Sequence, residues 1–265
     1  MYYLFDQQLI STDNIINSFE ILMVLVNKSQ RRAALFYNED DEIMLLTYFF
    51  QKMKRVIDLT MINSEDKIHS IQDLSHIYLL TKKFLGKKLF IVNEFLENLS
   101  NVSKLVFNDV LESINRSIRQ QSINIYFTKP DSHKTLLNYV KSKIKIGEVF
   151  QGQNYNIFAD KILYFLHDAL KTQIFTIVFE KDQSDNLIRC IDEIVGYVIF
   201  MNRTNMSYYF NYLKNIILLI SWPYDKFLDK YKELENVIYD RDLRSLIKCR
   251  KDKEKIKNLI VKNIK

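Results

Sequence analysis

The runs Ile174-Phe-Thr-Ile-Val-Phe179, Tyr197-Val-Ile-Phe-Met201 and Ile216-Ile-Leu-Leu-Ile-Ser221 decide how this chain reads. Each is solidly apolar rather than alternating, which is the pattern of a strand covered on both faces of a parallel sheet. Between them, Asn186–Ile194 and Met206–Asn215 carry helical spacing, as do Thr135–Lys143 and Ile157–Leu170 upstream. Ile123–Phe127 and Ile144–Ile146 are two more short strand-like runs, the first stopped by Lys129, Pro130 and Asp131. Strand and helix alternating in this way predict a doubly wound α/β head.

Upstream the rhythm is helical. Ser11, Thr12 and Asp13 are N-cap residues ahead of the stripe Ile15, Ile16, Phe19, Leu22, Met23 and Val26. A short apolar run, Ala33–Tyr37, leads through an acidic turn into a helix over Ile43–Leu59. Helical spacing is then continuous from Ser64 to Gln121, with Gly86 the one obvious break, and predicts two or three long helices. The expected organisation is a discontinuous head over 1–60 and 122–245, an elongated α-helical leg over 61–121, and a basic helical tail over 246–265.

Four glycines and two prolines in 265 residues leave few breakers between elements, and a hydrophobic fraction of 48% excludes an intrinsically disordered chain. Cys190 and Cys249 stand alone, neither a disulfide framework nor a zinc pattern, which points to a reducing compartment. Apolar runs such as Ile216–Trp222 fall far short of the roughly 20 residues a membrane helix needs, so a cytoplasmic protein is expected. The net charge of +6 is concentrated: residues 241–265 hold ten Lys or Arg against three acids, leaving 28 basic and 29 acidic side chains in the rest.

Few residues suggest chemistry. Gly147 and Gly152 have the spacing of the two glycines in a phosphate-binding loop. The positions that should hold lysine and hydroxyl are Gln153 and Asn154, which neither neutralise phosphate nor hold magnesium, so no nucleotide is expected. His69, His76, His133 and His167 lack the close pairing of metal ligands. Glu180, Lys181 and Asp182 after the run Ile174–Phe179 are the nearest approach to a nuclease site, but no second acid partners them. The basic residues carry more. Lys248, Arg250, Lys251, Lys253, Lys255 and Lys257 could follow a phosphate backbone or simply solvate a terminal helix. Lys82, Lys83, Lys87 and Lys88 around Gly86, with Arg116 and Arg119 at the end of the helical stretch, are candidates of the same kind.

The order of segments resembles the accessory DNA-end-binding protein of type II-A CRISPR adaptation modules, encoded beside the two integrase proteins and the effector nuclease. The resemblance runs through Phe36-Tyr-Asn-Glu-Asp-Asp-Glu-Ile-Met-Leu-Leu-Thr47, Ile123-Asn-Ile-Tyr-Phe127 and Leu136–Ile146. It continues in Val198-Ile-Phe-Met-Asn202, Tyr208–Asn215, Ile216–Ser221 and Val237-Ile-Tyr-Asp-Arg-Asp242. It covers most of residues 1–245 and is one of order and hydrophobic pattern. Gly147–Asn186 contains an additional strand-helix unit, and the basic tail extends past the family's usual end.

The resemblance implies a phosphate-loop-NTPase-like head without a Walker motif, a helical leg, and a homotetrameric ring that threads linear double-stranded DNA. It also implies structural calcium, yet the matching stretch Ile123–Pro130 holds no carboxylate before Asp131, so most of the hard oxygen ligands calcium needs are missing. On this reading the protein is no enzyme: it binds DNA ends during spacer acquisition, with the integrase proteins and effector nuclease as partners. Two other readings stand beside it, a protein-interaction scaffold of a mobile element or AT-rich genome, and a divergent metal-dependent nuclease.

Overall fold

In the computed structural model the described residues are Met23, Val24, Lys28, Arg31, 39–63, 67–84, 89–123, 133–150, 152–176 and 181–263. Among them every regular element is helical, and none is a β-strand. The expected α/β head is therefore corrected: the described fold is all-α. In chain order the helices are α1 (Glu39–Asn63), α2 (Lys67–Phe84), α3 (Leu89–Ile123) and α4 (Lys134–Ile146), the last followed by a 3₁₀ turn at Gly147–Val149. Then come α5 (Gln153–Ile174), α6 (Lys181–Phe200), α7 (Thr204–Ser221), α8 (Tyr224–Leu234), α9 (Asp240–Lys248) and α10 (Lys253–Asn263).

Each run predicted as a strand lies, where it is described, within a helix or in the turn that follows one. Ile144–Ile146 closes α4, Ile174 ends α5, Tyr197–Phe200 is the last turn of α6 with Met201 in the turn beyond, and Ile216–Ser221 is the last third of α7. Ile123 ends α3, while 124–127, 177–180 and the run Ala33–Tyr37 lie outside the described residues. The physical reason is clearest in α7, which packs against α5, α6, α8 and α9. A helix covered on several sides is apolar nearly all round. Met206, Phe210, Tyr212, Leu213, Ile216, Ile217, Leu219 and Ile220 are accordingly buried. At the end of α6 the opposite holds: Val198 is buried while Ile199 and Phe200 are exposed, the one-sided burial of a helix rather than a strand sandwiched on both faces.

The chain divides into two compact units, Met1–Glu112 and Ser113–Lys265, the division falling within α3. In the first, α1 buries Leu46, Phe49, Phe50, Met53 and Ile57, the spacing of one helical face. Phe50 meets Phe95 of α3 with ring centroids 4.6 Å apart, and Lys67 at the start of α2 pairs with Asp109 of α3 at 3.7 Å. The expected helices over Ile43–Leu59 and Ser64–Gln121 are present, with 64–66 and 85–88 outside the described residues.

In the second unit α6 and α7 form the most extensive helix pair, and α4 lies on α5. The α6–α7 turn places Asn202 at φ 56°, a left-handed conformation that asparagine tolerates better than most residues. Arg203, next in the turn, donates to the Asn156 side chain, pairs with Asp160 at 3.5 Å and lies over the Tyr155 ring, fixing the turn to the start of α5. The two glycines with phosphate-loop spacing join helix to helix. A Cβ on Gly147 would come within 2.3 Å of the Phe158 ring, and Gly152 has φ 58°. No described helix is long and apolar enough to cross a membrane.

Candidate nucleic-acid interface

The tail sorts its charges by burial. α9 begins with Asp240 and Asp242 in its first turn, where carboxylates suit the helix dipole. Leu243, Leu246 and Ile247 face inward, while Arg241, Arg244 and Lys248 are exposed. At 100° per residue those three fall within about 60° of one another, forming a cationic stripe about 10 Å long on the outer face. In α10, Ile256 is wholly buried, and Lys253, Lys255 and Lys257 are exposed.

Asp242 is the clamp that holds α9 in place. Its Oδ2 accepts from Lys171 Nζ of α5 and from the Tyr212 hydroxyl of α7, both at 2.6 Å, and the Tyr239 N–H donates to the same hydroxyl at 3.3 Å. Burial, reinforced by the bond to Asp242, raises the Tyr212 phenol well above its ordinary range, so it stays a donor. A carboxylate 6% exposed survives there because both partners are donors aimed at it.

Arg250 is a second clamp. Its Nη1 donates to the carbonyls of Leu219 at 2.9 Å and Ile220 at 2.6 Å, which the end of α7 leaves without intrahelical partners. Its Nε and Nη2 take Asp252 in a bidentate pair at 2.8 Å each, and the guanidinium lies over the Phe227 ring. Hydrogen bonding to Arg250 lowers the Asp252 carboxyl below its usual range. Once Asp242, Arg250 and Asp252 are absorbed in this way, residues 241–257 present seven exposed cations against one exposed acid, Glu254, which pairs with Lys257 at 2.9 Å.

The residues singled out from sequence therefore separate. Lys248, Lys251, Lys253, Lys255 and Lys257 are exposed, whereas Arg250 is inside the fold. Arg116 is exposed on α3, and Arg119, one turn on, pairs with Asp168 of α5 at 2.8 Å. Lys82 is exposed on α2 in the other unit; Lys83 is helical, and Lys87 and Lys88 lie outside the described residues. Sequence reasoning misses Lys171, Arg241 and Arg244. The i, i+3, i+7 spacing of Arg241, Arg244 and Lys248 is the available signal for two of them.

Beside the clamp lies a cleft of about 390 Å³, whose lining includes Lys171, Phe175, Tyr239, Arg241 and Ser245. One turn before Lys171, His167 is buried against Tyr164, Tyr209 and Phe210, and neither ring nitrogen has a hydrogen-bond partner among the described residues. Burial, with Lys171 adding to it, holds the pKa of this imidazole down at about 4. The thiols are buried as well, Cys190 pushed up to about 12 by burial and Cys249 donating to the Phe175 carbonyl at 3.0 Å.

Among the described residues no three His, Cys, Asp or Glu side chains group to hold a metal ion. The stretch Ile123–Pro130 implied for calcium lies, after Ile123, outside them, as does Glu180; Lys181 and Asp182 open α6. No family model matches the chain, and no curated protein or solved structure matches it.

Proposed function

We propose that the protein is a non-catalytic binder of double-stranded DNA that grips the phosphate backbone through the outward cations of α9 and α10. The observation that carries this reading is the sorting of tail charge: the acids of 241–257 are used up in clamps and local pairs, and the stripe Arg241, Arg244 and Lys248 faces solvent without a side-chain partner among the described residues. Such a stripe reads charge rather than base sequence, because phosphate contacts position a protein on DNA without carrying sequence information.

Replacing Arg244 and Lys248 by Ala tests it. Binding to a duplex weakens, and the slope of log affinity against log salt becomes shallower by about 1.8, near 0.9 for each phosphate no longer neutralised. An unchanged slope would return the stripe to the role of a solvated helix face.

A sharper form of the proposal is capture of linear DNA ends by a homotetrameric ring during CRISPR spacer acquisition, alongside the integrase proteins and effector nuclease. It rests on the resemblance in segment order alone, since the α/β head that the resemblance implies is not the described fold. Comparing one plasmid in linear and covalently closed form separates the two: retention of the linear form alone supports threading over ends, and equal retention leaves backbone binding without a ring.

A further inference from the structure

We propose that the cleft between α5 and α9 receives an unpaired nucleotide of the bound DNA strand, with Tyr239 stacking on the base and Arg241 meeting its phosphate. The inference rests on the reading of α9 as a DNA-binding surface and adds to it a site for a particular structure in the strand.

Arg241 belongs both to the outward stripe of α9 and to the cleft lining, and Ser245, one turn on, also reaches the cleft, so a strand tracking the stripe passes the opening. At about 390 Å³ the cleft lies within the roughly 300–1,000 Å³ range of small-ligand sites.

The aromatic groups are unequal. Lys171 Nζ sits 6.0 Å from the Phe175 ring centroid and 5.5 Å from that of Tyr212, so both rings already hold a cation. Tyr239 packs against Tyr212 at 5.4 Å between centroids and is still 65% exposed, which leaves ring surface free for a partner. An exposed aromatic beside cations is the arrangement by which single-stranded nucleic acid is held: bases stack, phosphates pair.

The carboxylates narrow the ligand class. Asp168 and Asp242 also line the cleft, matched by Arg119 at 2.8 Å and by Lys171 at 2.6 Å. With those charges balanced, Arg241 is the lining cation without a side-chain partner among the described residues, enough for one phosphodiester and a poor fit for inorganic phosphate alone. The Thr172 and Ser245 hydroxyls donate to the Asp168 and Arg241 carbonyls, and their oxygens can still accept from the polar edge of a base. A paired base inside a duplex cannot enter, so the cleft selects ends and unpaired positions.

Fluorescence anisotropy of the full chain tests this with three labelled DNAs: a short blunt duplex, the same duplex with a few unpaired nucleotides on one strand, and that overhang made abasic. The wild-type chain should bind the overhang about tenfold more tightly than the blunt duplex, the scale of one stacked base. Tyr239→Ala should erase that advantage while leaving blunt-duplex affinity unchanged, and Tyr239→Phe should keep it. Equal wild-type affinity for overhang and blunt duplex overturns the inference and leaves the backbone reading standing. The inference fails in the same way if the abasic overhang keeps the advantage, or if Tyr239→Ala does. Failure to bind any of the three overturns both.

Discussion

α7 and α9 pack against each other in one unit and are held by a different balance of burial and charge. α7 is surrounded by four helices and buries eight side chains, Tyr212 being the one among them with a polar terminus. α9 is half its length, presents Arg241, Arg244 and Lys248 to solvent, and is fastened at its first turn by the carboxylate of Asp242. Burial sets the position of the first; in the second a charge-assisted contact is added to the burial of Leu243, Leu246 and Ile247. The molecule keeps its stability in the one and leaves surface for a partner on the other.

The contrast breaks most visibly in the core. Phe210, fully buried in α7, should cost about 4 kcal/mol when replaced by Ala, because a lost aromatic ring leaves a cavity, read as a lowered urea midpoint. Next in size is a pH effect at the α5–α7 contact. His167 is neutral in the fold with its pKa lowered from 6.5 to about 4, and it faces Lys171, Asp168 and Asp242. The unfolded chain takes up a proton first as pH falls, so stability is undiminished above 6.5, declines between 6.5 and 4, and levels off below; the loss is about 3 kcal/mol. His167→Leu should flatten that part of the profile in denaturant titrations at stepped pH.

Smaller again is the clamp. Asp242→Asn keeps an acceptor for Tyr212 and leaves Lys171 without its counter-charge. Because the Lys171 side chain is 28% exposed and can turn to water, the expected cost is about 2 kcal/mol rather than that of a fully buried pair. The same variant should loosen α9 and lower DNA affinity with it. Smallest in stability is the stripe: Arg244→Ala with Lys248→Ala should move the midpoint by less than about 0.5 kcal/mol while changing DNA binding. A large loss of stability there would mean that α9 depends on its outer face, and the contrast with α7 would fail.

The same two helices explain what is legible in the sequence. Helices over 43–59, 157–170, 186–194 and 206–215 can be read from spacing alone, because each shows a face. Ile216–Ser221 reads as a strand because a short apolar run looks the same in a buried helix and a buried strand. The sequence does contain an arbiter: no Gly or Pro stands between Met206 and Ser221, so the run can continue the helix before it. Of the site, the concentration of cations after residue 240 is legible as composition. That Arg250 turns inward is not, since its partners are two backbone carbonyls some 30 residues earlier, and backbone acceptors leave no mark in a sequence. The cleft is equally hidden, its lining drawn from α5 and from the start of α9, some 70 residues apart.

The Arg250 clamp has a consequence for how the surface around it can drift. Arg250 closes the end of α7 and balances itself against Asp252, so the helix junction does not depend on hydrogen bonds from Lys248, Lys253 or Lys255. Exchanges at those positions, lysine to arginine, to glutamine, even to glutamate, should leave the core intact while resetting the charge of the tail's outer face. Single substitutions can therefore reset the charge of this face in small steps, while Asp242, Arg250, Asp252 and the buried Leu243, Leu246, Ile247 and Ile256 keep the helices in place.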